Sequence, residues 1–252
     1  VYGKDLYGEI KLIELLKELC KIDGIEWIRL MYMYDDNITK ELIETIKNEP
    51  KICNYIDIPI QHISDNVLHR MRRKSTNASI KETIKMIRSI VPEMCIRTTL
   101  LVGFPGETDK DFDELLDFIR EYKLDRVGVF AYSDEDGTLA NTMDRKLDED
   151  TKQDRVAEIM SAQMQVSLKN NEKKIGKVLD VIIDEIDGGS IANSIDNEVP
   201  NLTYIGRTGS DAPEVDGEVT VFSRKEHKIG DIVKVLINEA MEYDLMGNEV
   251  EE

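Results

Sequence analysis

Between Ile96 and Phe112 the chain reads IRTTLLVGFPGETDKDF: an apolar run ending at Val102, a Gly-Phe-Pro-Gly turn, then the start of an amphipathic segment. A run that is apolar on both faces belongs to a strand covered from both sides, the habit of parallel sheets. Thr108 stands where a helix N-cap belongs, and Asp109, Asp111 and Asp113 follow it, matching acidic charge to the positive end of a helix dipole. Strand, tight loop and helix start form the unit whose loop end carries chemistry in βα folds. Gly103 and Gly106 either permit the backbone path of such a turn or let a ligand approach the main chain. No Lys-Ser or Lys-Thr pair follows these glycines, so the turn is not a P-loop.

The same alternation extends on both sides. A helical stripe (Leu6, Ile10, Ile13, Leu16, Cys20) predicts one helix over 5–20, with Cys20 a core thiol. Strands are predicted over 26–33, 55–60, 96–102 and 126–132. Between them, helices are predicted over 38–48 (capped by Asn37), through Leu68 and Met71, over 79–90 and over 109–122. Strands alternating with helices mean parallel βα units. Four such units are too few to close a barrel, and the chain starts on a helix with no strand before it. The expectation is an incomplete barrel whose N-terminal part lies outside this sequence, with an open edge at the Trp27–Met33 strand.

Polar residues inside these strands carry the functional information. Arg29, Asp57, Gln61, Arg97 and Thr99 interrupt otherwise apolar runs, and His62 lies just past a strand end. Alternation puts Asp57 with Gln61 on one face and Arg97 with Thr99 on one face. A buried Asp57 needs a partner, and Arg29 and Arg97 are the candidates. Either these residues form an ion network within the sheet or they converge on a pocket at the strands' C-terminal ends. The basic run Arg70, Arg72, Arg73, Lys74 reads as a solvated helix end.

A polar helix over 148–174 leads into closely spaced short strands over 177–183, 203–206, 218–222 and 232–237, separated by Gly and Asn clusters at 187–189 and 197–201. That texture predicts a small antiparallel barrel. The expected division is a βα part with its connecting helix over 1–171 and the barrel over 172–252. From Glu172 onward there are 8 Lys+Arg and 19 Asp+Glu, a net of −11 out of the chain's −18. A barrel binding RNA along its surface would be basic, so the acidity favours a basic protein partner. No apolar run approaches the ~20 residues of a membrane span. Cys20, Cys53 and Cys95 are spaced neither as a metal knuckle nor as a disulfide framework, which fits a reducing, cytoplasmic setting.

Asp57-Ile-Pro-Ile-Gln-His-Ile-Ser-Asp65, Leu68-His-Arg-Met-Arg-Arg73 and Arg97-Thr-Thr-Leu-Leu-Val-Gly-Phe-Pro-Gly-Glu-Thr108 together resemble the radical-SAM methylthiotransferases. The tail looks like their TRAM domain. Gln61-His62 and Asp211-Ala-Pro-Glu-Val-Asp-Gly217 resemble the branch that adds a methylthio group to the β-carbon of an aspartate in a small-subunit ribosomal protein. The resemblance implies an α/β fold: a partial (β/α) TIM-like barrel, strands three to six of six, followed by an OB-like antiparallel barrel. It implies S-adenosylmethionine as cofactor, with Gln61, His62, Arg97, Thr99, Gly103, Gly106, Glu107, Tyr132 and Ser133 around it. Glu107 has a second role open to it, as a carboxylate in a helix's first turn. Asp211, Glu214 and Asp216 would face the substrate, a basic ribosomal protein, with tRNA ranked below it and the enzyme a monomer.

The family also carries two 4Fe-4S clusters held by cysteines, including a Cys-x3-Cys-x2-Cys motif. None of the three cysteines here has that spacing. No catalytic or metal-ligating residue is therefore assigned, and the polypeptide alone is expected to be inactive. The competing expectations are a tRNA methylthiotransferase, a non-catalytic protein-binding fragment, and an unrelated barrel enzyme holding phosphate at Gly103–Gly106.

Overall fold

The computed structural model describes residues 2–192 and 201–250; part of the expected 197–201 separator lies outside them. The chain divides into two compact units, Val1–Gln163 and Met164–Glu252.

The first unit is built on a four-stranded parallel sheet in sequential order: β1 (Ile28–Leu30), β2 (Ile52–Asp57), β3 (Cys95–Val102) and β4 (Arg126–Ala131). Five helices of this unit are α2 (Leu12–Cys20), α3 (Lys40–Asn48), α4 (Asp65–Arg70), α5 (Asn77–Ile90) and α6 (Asp109–Tyr122), with a short α1 (Lys4–Tyr7) before them. On β3 the expected alternation is visible as burial. Ile96, Thr98, Leu100 and Val102 are buried, and Arg97, Thr99 and Leu101 are partly open. Ile96 and Thr98 pack toward Ile80 and Ile84 of α5, so the opposite face is left to the polar residues.

Several boundaries differ from the sequence reading for local reasons. The expected single N-terminal helix is two, because Gly8 turns left-handed (φ 76°) and ends α1; Leu6 and Ile10 are exposed rather than part of the buried stripe. Helix α3 is capped by Thr39, whose Oγ1 accepts from Leu42 N–H at 3.2 Å, not by Asn37. Strand β2 starts three residues earlier than expected and stops at Asp57, since Pro59 has no N–H for the ladder. Gln61 then rejoins β3 through an isolated bridge: its N–H donates to Thr99 O (2.9 Å) and its carbonyl accepts from Leu101 N–H (2.7 Å). It does so at φ 69°, a left-handed conformation that non-glycine residues rarely hold.

Helix α7 (Glu149–Glu172) contains the division between the units. Beyond it, β5 (Val178–Ala192), β6 (Asn201–Thr208), β7 (Val219–Ser223), β8 (Ile232–Ala240) and β9 (Leu245–Glu249) close into a barrel in the order β5-β6-β7-β9-β8. Val181, Ile183, Tyr204, Val221, Val235 and Ile237 fill its interior. All pairings are antiparallel except β7 with β9. The 187–189 separator is instead part of β5, where a register shift against β6 keeps the glycine pair in the strand.

Candidate functional site

Three strands set one face of the parallel sheet. In the register of β3 against β4, Arg97 stands beside Arg126, Thr99 beside Gly128 and Leu101 beside Phe130, while Asp57 of β2 stands beside Arg97. Paired residues of parallel strands project to the same side. Asp57 is fully buried; its Oδ1 accepts from Arg97 Nη1 at 3.0 Å and its Oδ2 from Tyr32 N–H at 3.0 Å. The Arg29 guanidinium lies over the Tyr55 ring at 4.9 Å. Of the two candidate partners for Asp57, Arg97 takes the role. Phe130 is 60% exposed on this polar face. An exposed apolar ring on the strand next to Thr99 and Arg97 suits a small ligand with a planar part; sequence reading alone passed over it as a strand residue.

At the C-terminal end of β3, the Gly103–Glu107 loop is fixed from behind. Gly103 (φ 77°) and Gly106 (φ 88°) hold left-handed conformations, and a Cβ at either would collide with a cationic side chain: Lys152 over Gly103, Arg70 over Gly106. Arg70 Nε donates to Pro105 O at 2.6 Å and Arg73 Nη2 to Pro59 O at 2.5 Å. Arg70 therefore braces this loop and Arg73 the connection after β2, which corrects the solvated-helix-end reading for these two, while Arg72 and Lys74 are exposed.

Glu107 folds back under its own loop. Its Oε2 accepts from Gly103 N–H at 2.8 Å, the Phe104 amide faces the carboxylate, and Arg155 Nη1 binds Oε1. Burial pushes this carboxyl above the usual range, against the pull of Arg155 and the two amides. The loop amides that could cradle a phosphate are thus taken internally, Gly103 N–H by this carboxylate and those of Gly106 and Glu107 by the Arg145 and Phe104 carbonyls. That argues against the phosphate-holding barrel enzyme.

His62 is fully buried beside Glu107 rather than on an open wall. Its Nδ1 accepts from Ser64 N–H at 3.0 Å, which puts the proton of the neutral ring on Nε2. That Nε2 stands 3.6 Å from Glu107 Oε2, without a hydrogen-bond partner among the described residues. Burial, more than any neighbouring charge, depresses the imidazole to about 4. Next to it, the Ser64 hydroxyl donates to Asp111, and Asn66 Nδ2 donates both to Asp111 Oδ2 (2.8 Å) and to Gly106 O (3.2 Å). Thr108 caps α6 as expected, in a reciprocal box with Asp111. Burial alone would raise the Asp111 carboxyl, but the bonds from Ser64, Thr108 and Asn66 hold it down to about 2. Asn66 and Arg155 were not singled out from the sequence, and Asp111 was read there only as a first-turn carboxylate of α6. The available signal for Arg155 was its place at i−4 and i−8 from Ile159 and Gln163, both buried on one stripe of α7.

Phe104 and Tyr132 meet edge to face with centroids 5.2 Å apart, and both rings are buried. The Tyr132 hydroxyl donates to Asp134 Oδ1 at 2.9 Å, and burial with that bond pushes it up to about 12. Ser133 is exposed next to it.

The residues present do not fit an iron–sulfur cluster. Cys53 on β2 and Cys95 on β3 are buried within the sheet and Cys20 lies on α2. Among the described residues no group of three or more His, Cys, Asp or Glu could hold a metal ion. The open sheet face, with Arg97, Thr99 and Phe130 beside a preformed loop, does fit a small polar organic ligand.

In the second unit, the acidic 211–217 segment is a self-bonded turn. Asp211 is buried and its Oδ2 accepts from the Thr208 hydroxyl at 2.5 Å; Asp216 Oδ2 accepts from Ala212 N–H at 2.8 Å. These two carboxylates shape the turn, and the exposed tip is Pro213, Glu214 and Val215.

Residues 3–119 match the radical SAM superfamily and residues 175–250 match the TRAM domain. The chain is 47% identical over 247 residues to ribosomal protein uS12 methylthiotransferase RimO of Clostridioides difficile (strain 630), covering 98% of this chain and 53% of that protein. Against RimO of Alkaliphilus oremlandii (strain OhILAs) it is 47% identical over 248 residues, 98% of this chain and 54% of that protein. The chain thus spans about half the length of the curated relatives it matches. Among solved structures, coproporphyrinogen III oxidase (HemN) of Escherichia coli, a radical SAM enzyme, aligns with a TM-score of 0.50 at 19% identity, over 62% of this chain and 36% of that one. This likeness concerns the fold alone. With a radical SAM segment and a TRAM barrel joined in one polypeptide, this chain is similar over 98% of its own length to the radical SAM methylthiotransferases.

Proposed function

We propose that this chain is the sheet-and-barrel portion of an enzyme that adds a methylthio group to the β-carbon of an aspartate in ribosomal protein uS12. The observation that carries the reading is the 47% identity to relatives curated for uS12, sustained over 98% of the chain and hence through both units. The ligand assigned to the open sheet face is S-adenosylmethionine, which together with a thiolate-held cluster supplies one-electron chemistry when bound. Gln61, Arg97, Thr99 and Phe130 would contact it from the sheet. Gly103 and Gly106 would bring the loop backbone close, and Tyr132 and Ser133 would close the neighbouring end. Glu107 serves the same site by holding the loop, with His62 packed behind it. The cluster's ligands are not among this chain's cysteines, so no step is assigned to them here.

For the substrate, the acidic second unit supports a basic protein. The net of −11 from Glu172 onward repels a phosphate backbone and attracts Lys/Arg-rich surfaces. Within the 211–217 turn Glu214 is the exposed carboxylate, with Asp211 and Asp216 setting the turn. We take residues 1–171 and 172–252 as the working parts, supported by where the two family matches lie. A cytoplasmic monomer suits a ribosomal substrate, and no helix among the described residues is long and apolar enough to cross a membrane.

The test is a competition. Binding of this chain to uS12 and to tRNA is measured in one buffer at several salt concentrations. The expected result is tighter binding to uS12, weakening as salt rises, and a further two- to five-fold loss (about 0.4–1 kcal/mol) in Glu214→Lys. Tighter binding to tRNA would overturn the protein-substrate reading.

A further inference from the structure

We infer that Arg155, acting through Glu107, and Lys152, one turn before it on α7, are positioning residues that set the Gly103–Glu107 loop in its ligand-competent form. The inference rests on the cofactor reading above, in which this loop closes one end of the ligand site.

Arg155 and Glu107 are 5% and 3% exposed. One guanidinium nitrogen binds Glu107 Oε1 and the other donates to Asp109 Oδ1 at 2.6 Å, while the guanidinium lies 5.1 Å from the Phe112 ring centre. The fork therefore spans the end of the loop and the first turn of α6. Glu107's other oxygen holds Gly103 N–H at 2.8 Å. A carboxylate at this depth keeps its charge, and so its grip on the amides, only while a cation faces it. The rigid fork of arginine supplies both that charge and an orientation. Lys152 acts on the same glycine from the other side. Its stem fills the space into which a Gly103 Cβ would project, and its Nζ donates to Tyr132 O at 2.9 Å. That bond ties the loop after β3 to the chain end of β4. Both residues touch the loop, not the polar sheet face, so their effect on a ligand is indirect.

The experiment uses the full chain. Amide hydrogen exchange is followed by NMR at Gly103 and Phe104, with Leu100 and Val102 of β3 as internal references. Binding of S-adenosylhomocysteine, a probe that needs no cluster, is measured by calorimetry. Arg155→Met is expected to speed exchange at Gly103 and Phe104 at least tenfold and leave the references protected. It should weaken the probe about tenfold. Arg155→Lys should recover part of both, and Lys152→Ala should move both the same way by less. Unchanged exchange at Gly103 and Phe104 in Arg155→Met and Lys152→Ala overturns the inference. So does a loosened loop that binds the probe as tightly as the wild type. If Arg155→Met does not fold, Lys152→Ala decides, since it leaves the Arg155–Glu107 pair in place. A wild-type chain that binds no probe, with loop exchange shifted as expected, sinks the cofactor reading alone and leaves the hold of Arg155 on the loop standing.

Discussion

His62 and Glu107 show how one side chain's surroundings decide its chemistry. Each stands in a motif that resembles a ligand site, and each is buried behind the loop, where it meets the other at 3.6 Å. For His62 the cost of burying an imidazolium has a measurable signature. With the folded ring titrating at about 4 and the unfolded one near 6.5, the unfolded chain binds the proton first as pH falls. Stability is therefore full above about pH 6.5 and declines as pH falls toward 4, by about 3 kcal/mol in all. His62→Gln removes that term. Denaturant midpoints collected from pH 7 to 4 should show the gap between wild type and variant narrowing, then reversing if the substituted glutamine packs without loss. A constant gap would mean that His62 titrates near its ordinary value.

At the scale of the element, the βα loop is a braced object. Left-handed glycines give it its path, Arg70 and Lys152 occupy the room those glycines leave, and Glu107 holds the Gly103 amide. Gly106→Ala would force a Cβ into the Arg70 guanidinium at φ 88°, and is expected to cost about 1–3 kcal/mol. Gly137→Ala makes a useful control: its φ is 81°, but nothing lies within 4 Å of a Cβ there. A denaturation midpoint for Gly106→Ala equal to that of the control would show that Arg70 moves aside freely. The start and cap of α6 were legible because a cap and its partner lie three residues apart. The break between α1 and α2 was not, since the apolar period continues through Gly8 and nothing nearby in sequence shows that Leu6 and Ile10 lack a surface to cover.

For the whole molecule, the placement of three thiols matters most. Cys53 and Cys95 are locked in neighbouring strands and Cys20 is on a separate helix, so they cannot converge on one cluster without unfolding the sheet. Iron, sulfide, a reductant and S-adenosylmethionine added to this chain are expected to yield no 5′-deoxyadenosine above a no-protein control. Its appearance would show that these thiols can hold a working cluster. The acidic excess belongs to this scale too, because a field that steers a partner is summed over a surface and not owned by one residue.

By itself the sequence determined the parallel βα alternation, the strand-rich acidic tail, the cap of α6 and the family resemblance, because each of these is written in spacings of two, three or four residues or in contiguous motifs. It also narrowed the partner of Asp57 to two arginines. Only the tertiary structure decided between them, turned His62 and Glu107 inward, made Asp211 and Asp216 parts of a turn, and brought Arg155 to a glutamate 48 positions away. The reason is physical: periodicity reports which side of an element is covered, whereas the sign of a buried charge's contribution depends on the partner that packing places against it.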